Sequence, residues 1–272
     1  MTYHHSMVFE RFADVGGRQV RYLEAGSGKP VVLLHAFPLS ADMWRPQLEH
    51  VPDGWRMLAP DLRGFGPKAP DAARRLDEMA GDVAGWLGVI HVDRAVIGGL
   101  SMGGYVTLAL FRASPERFTA LILANTKATA DTAEGRAGRD KMSALLGERG
   151  ASAVADQMLP KLLGETSRRS RPDLEPLVRR LIESNPVDGI DGAIQAMKNR
   201  PDSTAMLTTI DRPALVITAA EDSLIPVSEA ELMHRLLPTS RLVTIPGAGH
   251  LSNLEAPEAF SAAVADFLRA NG

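Results

Sequence analysis

Gly98-Gly99-Leu100-Ser101-Met102-Gly103-Gly104 lies between a strand-like run, Arg94 to Ile97, and a helix-like run, Tyr105 to Ala113. That placement reads as a serine on a sharp strand-to-helix turn. Glycine is needed on both sides because a side chain two residues away would collide with the folded-back chain. A residue held at such a turn is strained, and strain of this kind marks functional sites. The motif alone is weakly specific, because a chain of 272 residues with 24 glycines can produce Gly-x-Ser-x-Gly by chance. Its context has to come from the rest of the chain.

On either side of this stretch, short apolar runs recur at Pro30 to His35, Arg56 to Pro60, Ala95 to Gly98, Ala120 to Ala124 and Ala214 to Ala219. They are too continuous to alternate and too short for helices, the signature of strands buried on both faces of a parallel sheet. Between them lie helical spacings such as Leu76-Met79-Ala80-Val83-Leu87 and Val106-Ala109-Leu110. Strand and helix taking turns in this way predict a doubly wound α/β sheet. Met7 to Asp14 and Gln19 to Leu23 flank Gly16-Gly17 and predict an antiparallel hairpin ahead of the parallel core. Ser228 to Leu237, Arg241 to Pro246 and Pro257 to Leu268 read as helix, strand and terminal helix, with Pro257 suited to a first helical turn.

The rhythm breaks between about Thr126 and Ile210. That stretch shows only helical spacings: Met142-Leu145-Leu146, Met158-Leu159-Leu162-Leu163, Leu174-Leu177-Leu181-Ile182 and Ile190-Ile194-Met197. It reads as a helical cap, residues 126–210, inserted into a core made of residues 1–125 and 211–272. Most of its leucine and methionine stripes are expected to be packing, with a minority lining a pocket. Arg168-Arg169-Ser170-Arg171 reads as a solvated charge run in a helix-to-helix loop.

Composition narrows the chemistry. A 45% hydrophobic fraction, 23% charged residues and a net charge of −3 carry no basic field of the kind that recruits nucleic acid or anionic membrane. No run reaches the about 18 apolar residues of a membrane span, and the start lacks the basic-then-apolar layout of a secretory signal, so a cytoplasmic location is expected. With no cysteine, disulfides, thiolate metal sites and a cysteine nucleophile are all excluded. The adjacent His4 and His5 read as part of a disordered terminus rather than as a metal site. The oligomeric state has no signature here.

A serine hydroxyl is a poor nucleophile near neutral pH and needs a base, itself oriented by a third group. The acid candidate is Asp222 in Ala219-Ala220-Glu221-Asp222-Ser223-Leu224-Ile225-Pro226, just past the strand Ala214 to Ala219. Ligand sites in open α/β sheets gather at such strand ends. The base candidate is His250 in Pro246-Gly247-Ala248-Gly249-His250, after the last strand. Ser101, Asp222 and His250 run in the chain order serine, acid, histidine, which sets them apart from the chymotrypsin and subtilisin orders. Glu221 is a rival acid, but neighbours on an extended segment point to opposite sides. Asp131 is a more distant rival. His50, His91 and His234 read as surface or partly buried side chains, and Asn253 and Glu255 as exposed polar residues before a helix.

These motifs, together with His35-Ala36-Phe37-Pro38 after the third strand, resemble the α/β-hydrolase superfamily over essentially the whole chain. Within it the chain looks most like small cap-bearing esterases and 3-oxoadipate enol-lactonase-like enzymes. The resemblance implies an α/β-hydrolase fold, a mostly parallel eight-stranded sheet flanked by helices with an inserted helical cap. It implies a Ser101-His250-Asp222 triad, favours Asp222 over Glu221, and makes Phe37 and Met102 the backbone donors of an oxyanion hole. Ala36 stands where the family's His-Gly-x-Pro loop has glycine. His35 becomes a structural hydrogen-bonding residue, and Asp61-Leu62-Arg63-Gly64-Phe65-Gly66 a structural loop after the fourth strand.

The expected reaction is therefore hydrolysis of a small-molecule carboxylic ester or lactone through an acyl-enzyme, with no cofactor and no nucleic-acid or membrane partner. Serine at the nucleophile position argues against the dehalogenase and epoxide-hydrolase branches, which use a carboxylate. The same machinery also serves carbon–carbon bond hydrolases, proline iminopeptidases and cofactor-free perhydrolases. A hydrolase-like ligand receptor with little turnover is the alternative of another class.

Overall fold

The computed structural model describes residues 6–67, 69 and 71–271, so His4 and His5 lie outside the described residues. A hairpin opens the chain. Strands β1 (Phe9–Val15) and β2 (Arg18–Gly26) pair antiparallel through a turn with Gly16 at φ +62° and Gly17 at φ +85°. Two positive φ values are what a two-residue turn needs to match the strand twist, hence two glycines. Strands β3 (Lys29–Leu34), β4 (Trp55–Pro60), β5 (Ala95–Leu100), β6 (Phe118–Ala124), β7 (Ala214–Ala219) and β8 (Ser240–Ile245) complete an eight-stranded sheet. Its order is β1-β2-β4-β3-β5-β6-β7-β8. β2 meets β4 antiparallel, and every later neighbour is parallel. Each run expected to be a buried strand is one, with ends displaced by a residue or two. All residues of β5 and β7 are buried, as continuous apolar runs require.

Helices α1 (Arg45–Leu48), α2 (Leu76–Val89) and α3 (Met102–Ala113) alternate with the strands. In α2 the buried residues Leu76, Met79, Ala80, Val83 and Leu87 form the apolar face that the spacing predicts. Between β6 and β7 the described chain is helical only: α4 (Ala133–Leu162), α5 (Glu165–Ser170), α6 (Leu174–Glu183), α7 (Val187–Lys198) and α8 (Thr204–Leu207). Two of the predicted stripes fall on α4, which is two helical halves meeting at a kink where Gly150 leaves helical geometry (φ +75°, ψ −175°). Their buried members Leu146, Met158, Leu159 and Leu162, with Val178, Ile182, Ile190 and Ile194, make α4 pack on α6 and α7. Arg168 and Arg169 belong to the exposed side of the short helix α5 rather than to a loop. Helix α9 (Val227–Leu236) follows β7, and α10 (Ser252–Glu255) and α11 (Pro257–Asn271) follow β8. Among the described residues no helix is long and apolar enough to cross a membrane.

Buried charge holds the segment between β6 and β7 together and seats it on α3. Arg200, just after α7, pairs with Asp131 at 2.9 Å, with side chains 3% and 7% exposed. Arg139 of α4 reaches the same carboxylate at 3.1 Å, and the Arg200 guanidinium lies 4.2 Å from the ring centre of Tyr105 on α3. Burial pushes the Asp131 carboxyl up, but the two guanidinium groups outweigh it and hold it below its ordinary value. Asp131 is thus committed to this cluster. Removing one partner of a buried pair strands the other's charge. Asp131→Ala should therefore lose about 3–5 kcal/mol of stability, read as a lower urea midpoint.

Candidate active site

The turn after β5 is as tight as its sequence implies. Ser101 sits at φ +57°, ψ −113°, immediately before α3, and is 9% exposed. A Cβ on Gly99 would run into the backbone of Gly103, and one on Gly103 into the carbonyl of Leu34. The glycines flanking the serine are there because strand, turn and helix touch backbone to backbone. Met102 is the first residue of α3, where helix geometry leaves the N–H without an intrahelical acceptor. Phe37 and Met102 are both buried, next to the ends of β3 and β5.

Asp222 and His250, 28 residues apart, come together. His250 Nδ1 lies 2.9 Å from Asp222 Oδ2 and 3.1 Å from Oδ1, and the two side chains are 2% and 0% exposed. Oδ1 also accepts from the backbone N–H groups of Leu224 and Ile225, at 2.9 and 3.0 Å. Burial works against the charged carboxylate, yet the charge and hydrogen bond of His250 and the Asn125 and Ile225 donors outweigh it, so its pKa falls below the ordinary value. Glu221 turns the other way, accepting from the Thr166 N–H at 2.8 Å and hydroxyl at 2.5 Å on α5. The segment is a turn rather than the extended run expected, with the Asp222 N–H on the Ala219 carbonyl at 3.3 Å, and the partners each carboxylate meets, Thr166 or His250, separate the two acids.

Two residues that did not stand out in the sequence join these parts. Thr126 donates its hydroxyl to the Ser101 carbonyl at 2.8 Å. Asn125, beside it, donates from Nδ2 to Asp222 Oδ2 at 2.9 Å and to the Gly249 carbonyl at 3.4 Å. The only local signal was an Asn-Thr pair closing the apolar run of β6, and such a pair is common at strand ends.

Asn253 and Glu255, expected to be exposed, are instead 0% and 7% exposed. Glu255 accepts from the N–H groups of Gly249 and Leu251, on either side of His250, at 2.9 and 3.0 Å, and from that of Gly164 between α4 and α5 at 2.8 Å. Asn253 donates to the Met43 carbonyl at 2.8 Å. Polarity predicts exposure only where no backbone donors or acceptors converge, and here a buried loop supplies them.

The loop after β3 is anchored from below. His35 Nε2 accepts the Leu62 N–H at 3.0 Å, so its proton sits on Nδ1, which donates to the Ala36 carbonyl at 3.0 Å. Burial pushes the His35 pKa down to about 4, only partly opposed by that second hydrogen bond, and the ring stays neutral. Asp61 accepts the Ala41 N–H at 2.8 Å and pairs with Arg21 at 3.0 Å. From the insertion, Asn185 donates to the Pro38 carbonyl and accepts from the Gly66 N–H, both at 2.9 Å. The structural readings of His35 and of residues 61–66 agree with these bonds. His50 and His91 are exposed and His234 half-buried.

A mostly parallel sheet with a strained serine after β5, an acid after β7 and a histidine after β8 defines the class: an α/β hydrolase fold. The family model described as alpha/beta hydrolase fold matches residues 29–257, and the chain belongs to that family. It is 26% identical over 235 residues to 3-oxoadipate enol-lactonase 2 of Acinetobacter baylyi, covering 86% of each chain. It is 30% identical to the pimeloyl-[acyl-carrier protein] methyl ester esterase of Neisseria meningitidis, covering 88% of this chain and 93% of that one. Among solved structures, a thermophilic esterase from Thermogutta terrifontis superposes with a TM-score of 0.90 at 34% identity, covering 97% and 99% of the two chains. The enol-lactonase from Burkholderia xenovorans superposes at 0.87 with 27% identity, covering 95% of this chain and 100% of that one.

His35 gives a pH signature. The folded protein refuses a proton that the unfolded chain accepts at about 6.5, so the stability the neutral ring supplies is complete above that pH and is lost as pH falls toward about 4. Urea midpoints should decline across this window, and His35→Gln, which cannot titrate, should flatten that part of the decline.

Proposed function

We propose that the protein is a serine hydrolase that cleaves carboxylic esters or lactones through Ser101, His250 and Asp222. The observation that carries this reading is the buried Asp222 carboxylate 2.9 Å from His250 Nδ1. An imidazole held by its Nδ1–H presents Nε2 as a base. The serine meanwhile occupies a strained turn at the head of a helix. Asp222 keeps the tautomer and stabilises the imidazolium that forms when Nε2 accepts the serine proton. Further support comes from the esterases and enol-lactonases among the similar proteins.

The Ser101 hydroxyl oxygen attacks the acyl carbon while His250 takes its proton, giving a tetrahedral oxyanion. The N–H groups of Phe37 and Met102 bind that oxyanion, Met102 with the positive end of α3 behind it. Collapse breaks the bond to the alkoxy oxygen, which takes the proton back from His250. In an ester the alcohol departs; in a lactone the new hydroxyl stays on the acyl chain. A water then attacks the acyl-enzyme with His250 again as base, releasing the acid and restoring the serine. The helical insertion, residues 126–210, serves as the cap, and its apolar faces favour an apolar or aromatic acyl group. A small organic molecule in the cytoplasm is the substrate, with no cofactor in the cycle.

Ser101→Ala should lower kcat on p-nitrophenyl esters by ~10⁶ and Asp222→Asn by ~10⁴, both with an unchanged fold. Glu221→Gln should stay within a few-fold of the parent. A panel of rising chain length, with lactones alongside, gives the acyl preference. Turnover that survives Ser101→Ala would refute the assignment.

A further inference from the structure

We propose that Asn125 is a positioning residue of this site, holding the Asp222 carboxylate and the backbone of the His250 loop in register with each other. The inference rests on the serine-hydrolase reading above. β6 lies between β5, which leads into Ser101, and β7, which leads to Asp222. Its end is therefore flanked by both. The chain is knitted there on each side: Ser101 N–H donates to the Ala124 carbonyl at 2.9 Å and Asn125 N–H to the Ile217 carbonyl at 2.8 Å.

From that position Asn125 uses its whole amide. Nδ2 faces the Asp222 carboxylate and the Gly249 carbonyl, while Oδ1 accepts the Ser252 hydroxyl at 2.6 Å. Asp222 and Gly249 offer only acceptors on this side, so the amide has one orientation that satisfies it, and Ser252 supports that orientation. Asp222 Oδ2 is consequently shared by Asn125 and His250, at 2.9 Å each. Oδ1 is already held by backbone N–H groups. Turning the carboxylate away from the imidazole would break bonds at both oxygens. The same amide steadies the residue before His250, so acid and base are located by one group.

The backbone shows what this costs. Asn125 is 1% exposed and sits at φ +43°, a conformation most residues avoid and asparagine tolerates. Glycine tolerates it too but has no amide, and aspartate keeps the shape but offers acceptors instead of donors. Those two substitutions separate backbone from hydrogen bonding.

The test compares the parent with Asn125→Gly, Asn125→Asp and Ser252→Ala. It measures kcat and KM on a p-nitrophenyl ester, melting temperature, and the low-field proton resonance of His250 Nδ1–H, assigned by its loss in His250→Gln. Asn125→Asp should lower kcat by about 10²-fold with KM within about twofold, the size expected when a reacting group is misplaced. The Nδ1–H resonance should move or disappear. Asn125→Gly should act in the same direction, and Ser252→Ala by a few-fold. Should the Asn125 variants fail to fold, Ser252→Ala decides by the same two readouts. Folded variants with the parent's kcat and resonance would overturn the proposal. So would a fall in kcat that only tracks the fraction of folded protein, with the resonance unmoved. The resonance is read without turnover, so if the parent hydrolyses no ester the serine-hydrolase reading fails while Asn125 is still judged.

Discussion

The structure depends on one close approach: the backbone of Gly103 at the head of α3 pressed against the carbonyl of Leu34 at the end of β3, with Gly99 against Gly103. A helix can follow a parallel strand this directly only if no Cβ stands in the contact. Once it does, the residue at the corner must take a positive φ, and Ser101 takes it. The strain and the placing of the buried helix terminus beside the serine come from the same geometry. The serine at the corner and the first turn of α3 beside it are therefore a single construction.

Around that corner buried polar groups hold the backbone of the loops. His35 and Asp61 hold the loop after β3, Glu255 takes the N–H groups on both sides of His250, and Asn185 joins the insertion to Pro38 and Gly66. A loop has no ladder to satisfy its backbone, so buried loops need side chains that do. The insertion is bound into the same network: Thr166 meets Glu221, and Gly164 meets Glu255. The residues next to Asp222 and His250 are thus also those that dock the helices. Displacing the insertion would disturb the surroundings of Asp222 and His250 together.

The apolar runs made the strands legible because a parallel strand is buried on both faces, and nothing but continuous apolar sequence survives there. Gly16-Gly17 announced the hairpin through its turn chemistry. Ser101, Asp222 and His250 stand out in the sequence for a related reason. Each follows a strand end and is surrounded by small or turn-forming residues, which the chain needs wherever it bends sharply. Asn253 and Glu255 depart from the expected exposure because their partners come from elsewhere in the chain: Gly164, Gly249 and Leu251 donate to Glu255, and Asn253 donates to the Met43 carbonyl and to Gln47. Asn125 and Thr126 carry no local signal because their partners are distant in sequence: Ser252 lies 127 residues from Asn125 and Ser101 lies 25 from Thr126.

Local sequence by itself determined the alternation of strand and helix, the helical break between β6 and β7, and the identity of the serine turn. These follow from periodicity, side-chain volume and allowed φ, which act between near neighbours. Tertiary structure alone decided which of two adjacent acids, Glu221 or Asp222, faces the imidazole, which polar residues are buried, and that the end of β6 links the strands on either side. Those outcomes depend on which donor meets which acceptor across the sheet order, and hydrogen bonds between distant segments leave no mark in the sequence around either partner.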